Sequence, residues 1–258
     1  MEAAADQVDR TAYATWLMRM GDNTLILGHR LSEWCGHSPV LEEDIAMANT
    51  ALDLIGQTQL WLGLAGEVEG AGRTADNLAY LRDASKFRNV LMVERPNGDF
   101  GQTLMRQFLF DAWHHAMLTE LLTSTEERVR EIAAKALKEV SYHLERSADL
   151  VIRLGDGSEE SHARMQAALD DQWAYTGELS TPDEIDTATA AAGIAPDLAK
   201  VGTVWRQTVE EVLRAATLSV PDSTFAHQGG KSGRHTEHLG YILADMQFLQ
   251  RAYPGAVW

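Results

Sequence analysis

The chain has 258 residues, 45% of them hydrophobic and 23% charged, enough to bury one substantial core, and the span 1–258 is expected to fold as a single domain. Its 22 Lys and Arg stand against 38 Asp and Glu, and the resulting charge of −16 argues against nucleic acid and against anionic membranes as partners. Cys35, the one cysteine, excludes an intrachain disulfide; the acidic stretch Met1–Asp6 lacks the features of a secretion signal, and no apolar run nears the ~20 residues that cross a bilayer, so a cytoplasmic location is expected.

Alternating runs of β-branched residues are hard to find and the six prolines avoid the long periodic segments, so the fold class reads all-α. A first helix is predicted at 8–35, carrying Trp16, Met20, Leu27, Leu31 and Trp34, with Glu33 as a candidate ligand. The second, at 39–68, opens on Ser38-Pro39 with Glu42, Glu43 and Asp44 near its start, where the helix dipole favours negative charge. One side of it, Met47, Ala51, Leu54 and Trp61, is apolar throughout, and Asp53 and Gln57 are its polar candidates. A shorter helix at 75–93 and the turn Arg95-Pro96-Asn97-Gly98 lead to a long helix at 99–123. There Phe100, Leu104, Asp111, His115, Leu118 and Leu122 share one face, with Gln107 and His114 close by. Buried on that stripe, Asp111 needs a cation, a metal or several hydrogen-bond donors.

Ser124 and Glu127 form a candidate capping box for a helix at 126–153, whose stripe is Val129, Ile132, Ala133, Ala136, Val140, Leu144 and Val151. His143 falls inside that stripe and Glu139 at its edge. Shorter helices follow at 159–178, 182–192, 196–217 and 236–252, the second opened by a capping box in Thr181-Pro182-Asp183-Glu184 and the last capped by Thr236. Long helices in two antiparallel hairpins, with peripheral short ones, make an elaborated four-helix bundle.

Antiparallel pairing of the last two long helices brings Asp111 level with Glu139 and His143. That is half of a di-iron carboxylate constellation, in which two helices each give a Glu and two give Glu-x-x-His. The other half is missing. Three residues after Asp53 stands Gly56, and three before His143 stands Val140. Gly229-Gly230-Lys231-Ser232-Gly233-Arg234-His235-Thr236-Glu237-His238 is a small basic, glycine-rich island of the kind whose backbone amides hold an anion, though it equally reads as a loop feeding a helix. Tryptophans and methionines read as core and interface packing, and Cys35 as a small buried hydrophobe near a helix end.

Several stretches carry a resemblance along nearly the whole chain. They are Leu27-Gly28-His29-Arg30-Leu31-Ser32-Glu33-Trp34-Cys35-Gly36-His37, Leu52-Asp53-Leu54-Ile55-Gly56-Gln57, Glu94-Arg95-Pro96-Asn97-Gly98, Phe110-Asp111-Ala112-Trp113-His114, Lys138-Glu139-Val140-Ser141-Tyr142-His143 and the segment Gly229–Gly240. In these the chain resembles the C subunits of bacterial phenylacetyl-CoA epoxidases. The resemblance implies a ferritin-like fold and a non-catalytic, structural role beside a homologous A subunit that carries the di-iron centre, with a reductase among the other components. It implies no cofactor on this chain and a degenerate site at Glu33, Leu54, Gln57, Asp111, Val140 and His143. By their charge alone, Lys231, Arg234, His235 and His238 are candidates for contact with a partner or with CoA, and self-association without the partner is a further expectation. Two other readings stay open: a di-metal oxygenase or metal-binding protein using Glu33, Asp53, Asp111, Glu139 and His143, and a homo-oligomeric helical scaffold.

Overall fold

A computed structural model describes residues 9–256; the predicted helix start at residue 8 and the stretch Met1–Asp6 lie outside them. Every regular element among the described residues is helical: α1 (Arg10–Ser32), α2 (Leu41–Glu69), α3 (Ala75–Tyr80), α4 (Leu91–Glu94), α5 (Phe100–Leu121), α6 (Glu127–Gly155), α7 (Glu159–Trp173), α8 (Gly177–Ser180), α9 (Glu184–Ala191), α10 (Leu198–Ala215) and α11 (Glu237–Ala252). The long helices α1, α2, α5 and α6 form a ferritin-like bundle of two antiparallel hairpins, α1 with α2 and α5 with α6, joined where α2 lies along α6. No described helix is long and apolar enough to cross a membrane.

Close packing of the first hairpin rests on small residues. A Cβ at Gly21 would stand 2.5 Å from the Leu62 side chain, so the absence of one lets the two helix backbones approach. Edge-to-face packing of Trp16 on Trp61, with ring centres 6.2 Å apart, closes the same interface. Met47, Ala51, Leu54 and Trp61 are all buried, as their spacing on α2 predicts.

Helix α5 is the axis of the molecule. From Thr103 to His114 every residue is buried, because α6, α7 and α10 pack around it. A helix covered on all sides has no single inward stripe, which explains the difference from the predicted face: His115 is only half-buried and Leu122 is exposed, while His114 is enclosed. Indole N–H groups tie neighbours to it: Trp113 donates to the Leu179 carbonyl and Trp205 to that of Leu109, each at 2.9 Å.

Other boundaries differ from the periodicity for tertiary reasons. The predicted helix 75–93 breaks into α3, a 3₁₀ turn at Ala84–Lys86 and α4, because Asp22 and Asn23 of α1 accept the backbone N–H groups of Arg88 and Val90, each at 2.8 Å. Asp183, not Thr181, caps α9, forming a reciprocal box with Asp186. Val40 rather than Ser38 precedes α2, and Ser124 spends its hydroxyl on the Ile194 carbonyl instead of closing a box with Glu127. Predicted helix 159–178 ends at Trp173, and Cys35 is exposed rather than buried.

Candidate functional site

The polar residues predicted on the buried stripes meet where α2, α5 and α6 adjoin. Asp111 accepts hydrogen bonds from the Gln107 side-chain amide at 2.7 Å and from the Ser147 hydroxyl at 2.9 Å, one on each carboxylate oxygen. His143 donates through Nε2 to Asp53 at 2.9 Å, and the Gln57 amide donates to Glu139, also at 2.9 Å. Asp111, His143, Gln57, Gln107, Ser147 and His114 are all buried, while Asp53 opens toward solvent at the α2 edge. Ser147, one turn beyond His143 on the same stripe, is the partner that sequence reasoning missed; its place in the i, i+4 register was the available signal.

Burial sets the electrostatics. It pushes the Asp111 carboxyl up to about 6, against the opposing pull of His143 and of its hydrogen-bond donors. Burial likewise drives His114 down to about 3, with His143 and His115 adding to the effect. His114 finds no hydrogen-bond partner on either ring nitrogen and packs between Phe110 and Trp113, with ring centres 5.3 and 6.1 Å away. It is a neutral aromatic side chain here rather than an acid–base group.

This donor set does not fit a di-iron centre. Leu54 and Val140 are fully buried hydrocarbon and offer no ligand atom. The two Asp111 oxygens are occupied by neutral donors, and Nε2 of His143 by Asp53. Glu33 does not join the cluster: it follows the last turn of α1, half-exposed, where Arg30 and the Asn97 side chain hold it, each at 2.9 Å. Among the described residues no group of three or more His, Cys, Asp and Glu side chains converges as metal ligands would.

The turn that receives Glu33 is anchored from beneath by Arg106. This guanidinium is fully buried and bonds the Arg95 carbonyl and the Asn97 side chain, each at 2.6 Å. Burial without a bonded acid, beside Arg30, pushes it down to about 9.

The glycine-rich segment is engaged from within. Glu178 of α8 takes the Gly229 and Lys231 N–H groups on one carboxylate oxygen, at 2.9 and 3.3 Å, and that of Leu91 on the other, at 2.8 Å. An internal carboxylate therefore fills the amide cradle, and of the two readings of this segment the structure shows the loop that feeds a helix. Lys231 reaches Asp186 and the Thr181 carbonyl, each at 2.6 Å, while Asp186 also pairs with Arg19 at 2.7 Å. His235 is buried between Glu94 at 2.9 Å and the Phe87 carbonyl at 3.1 Å, so it is a clasp and not half of a metal pair with His238. Glu94 also takes the Thr236 N–H, while the Thr236 side chain makes no capping bond to α11. Arg234 is exposed and His238 half-exposed.

Comparison with known proteins identifies the family. Residues 1–258 match the family described as phenylacetic acid catabolic protein. The C subunit of the 1,2-phenylacetyl-CoA epoxidase of Escherichia coli (strain K12) is 47% identical over 248 residues, covering 96% of this chain and 98% of that protein. The chain therefore belongs to the phenylacetic acid catabolic protein family.

Proposed function

We propose that this chain is the non-catalytic, structural subunit of a phenylacetyl-CoA epoxidase complex in aerobic phenylacetate degradation. It packs against a homologous A subunit that carries the di-iron centre, and a reductase supplies the electrons elsewhere in the assembly. The observation that carries the reading is the buried polar core, in which Asp111 accepts from Gln107 and Ser147, while Leu54 and Val140, which the resemblance sets at ligand positions, are buried hydrocarbon. Similarity to the C subunit of the Escherichia coli epoxidase supports the pathway and the membership of a complex. Of the basic segment, Arg234 and His238 are the residues placed to meet a partner or the CoA group, because Lys231 and His235 serve the chain's own acids.

The test is iron content and epoxidation measured together. The purified chain is expected to hold no stoichiometric iron and to be inactive alone, yet to be required for full activity of the A subunit. Two transition ions per chain would overturn the reading in favour of an independent di-metal oxygenase. An A subunit fully active without this chain would overturn it in favour of a separate scaffold.

A further inference from the structure

The polar core leaves a buried acceptor unused. Gln107, only 4% exposed, spends its side-chain N–H on Asp111, while its Oε1 is buried and accepts from no group among the described residues. An amide oxygen taken out of water without a donor bears its full desolvation cost, so a buried atom of this kind calls for a partner. Room for one lies beside it. A cavity of about 10 Å³ sits between α1, α2, α5 and α6, with Leu31, Met47 and Leu104 among its apolar walls and Thr50, Gln107 and Arg146 among its polar ones. That volume is the least that admits a water molecule, and it admits nothing larger. Gln57 Oε1 and His143 Nδ1 also lack partners, but neither residue lines this cavity.

The chemistry of the walls narrows the occupant in the same direction. Thr50 gives its hydroxyl proton to the Ala46 carbonyl at 3.1 Å, which leaves its oxygen as an acceptor. Arg146 is the donor: its Nη2 is bonded to Glu43, and its other N–H groups serve no described acceptor. An anion would be repelled by the two oxygens and a cation by the guanidinium. Only a neutral molecule that both donates and accepts suits all three groups. The orientation of the Gln107 amide has the same cause. Turned over, its oxygen would stand against the Asp111 carboxylate and its N–H groups would point to a cavity that already holds a guanidinium, setting like against like at both ends.

We propose that this cavity is the site of a single internal water, which accepts from Arg146, donates to Gln107 Oε1 and Thr50 Oγ1, and holds the Gln107 amide in the orientation that serves Asp111. Three bonds are the usual complement of a buried water. The water joins the core to the edge of the bundle, so that Asp111, Gln107, the water, Arg146 and Glu43 make one hydrogen-bonded chain across α5, α6 and α2. Two measurements on the full-length chain test it. A high-resolution crystal structure of the parent shows one peak of oxygen strength within ~3 Å of both Gln107 Oε1 and an Arg146 nitrogen. Magnetic relaxation dispersion of the water oxygen, which counts long-lived internal waters, finds one fewer in Thr50→Ile, where the added bulk fills the cavity and an acceptor is lost, and no fewer in Thr50→Ser, which keeps the hydroxyl. An empty cavity in the parent, a peak that touches only one of the two groups, or a peak with the anomalous scattering of chloride overturns the proposal, as does an equal count in the parent and Thr50→Ile. Should Thr50→Ile fail to fold, the parent's density decides alone. The subunit reading is tested separately, by iron content and epoxidation, and stands or falls without this water.

Discussion

Asp111 and His114 sit one helical turn apart on α5 and respond to acid in opposite senses. For Asp111 the folded-state value of about 6 lies above its ordinary 3.8, so the folded chain binds more protons than the unfolded one between them. Its contribution is therefore greatest below pH 4 and is lost as pH rises through 6, a change of roughly 3 kcal/mol for about two units. Asp111→Asn removes that loss, and urea melts are expected to show the variant gaining on the parent between pH 4 and pH 7.5. His114 runs the other way: its value of about 3 lies below the ordinary 6.5, so stability is lost as pH falls through that window. Val140→Glu tests the neighbouring hydrocarbon seat. It buries a carboxylate with no cation to meet it and is expected to cost about 3–5 kcal/mol, read as a lower urea midpoint. At this scale the sequence disclosed the residue types and missed their partners. Asp111, His143, Leu54 and Val140 stand out by position on a stripe, but a serine hydroxyl, as at Ser147, satisfies a helix carbonyl as readily as a carboxylate.

Among the elements, the long helices are legible because their apolar spacing repeats over many turns, whereas the short ones answer to distant side chains. Asp22 and Asn23 draw the amides of Arg88 and Val90 out of a helix that periodicity favours, and no local pattern announces a rival sixty-odd residues upstream. Similarly, Asp183 displaces Thr181 as the cap of α9 because its carboxylate also pairs with Arg19. Helix α11 depends on such a distant tie. Its base is pinned through His235 and Thr236 to Glu94, a carboxylate with no solvent contact. His235→Ala removes the imidazole that bridges Glu94 and the Phe87 carbonyl, at an expected cost of about 2–4 kcal/mol. Hydrogen exchange should localise the effect to residues 229–252, with α1 and α2 keeping the parent's protection. Uniform loss across the bundle would show that the clasp is not local.

For the whole molecule, the all-helical bundle and the burial of Leu54 and Val140 were both readable from spacing, since both residues fall on apolar stripes. The burial of α5 on every side was not readable, because it comes from α7 and α10 wrapping over a face that periodicity assigns to solvent. Glu33 illustrates the same limit: a good ligand type on the right helix lies beyond the last turn and serves Arg30 and Asn97 instead. As a subunit that binds its partner only when folded, the chain should gain stability in proportion to partner concentration. At 100 times the dissociation constant the gain is about 2.7 kcal/mol, measurable as a higher melting temperature of the mixture than of the chain alone.

Glu178 gives the glycine-rich segment a permanent tenant. An incoming phosphate would have to evict a carboxylate that three backbone amides already grip, and would leave that acid stranded without solvent. The segment's shape is thus indifferent to whether a phosphate-bearing thioester is present nearby, and it offers later contacts a fixed floor instead of a loop that sets around its guest.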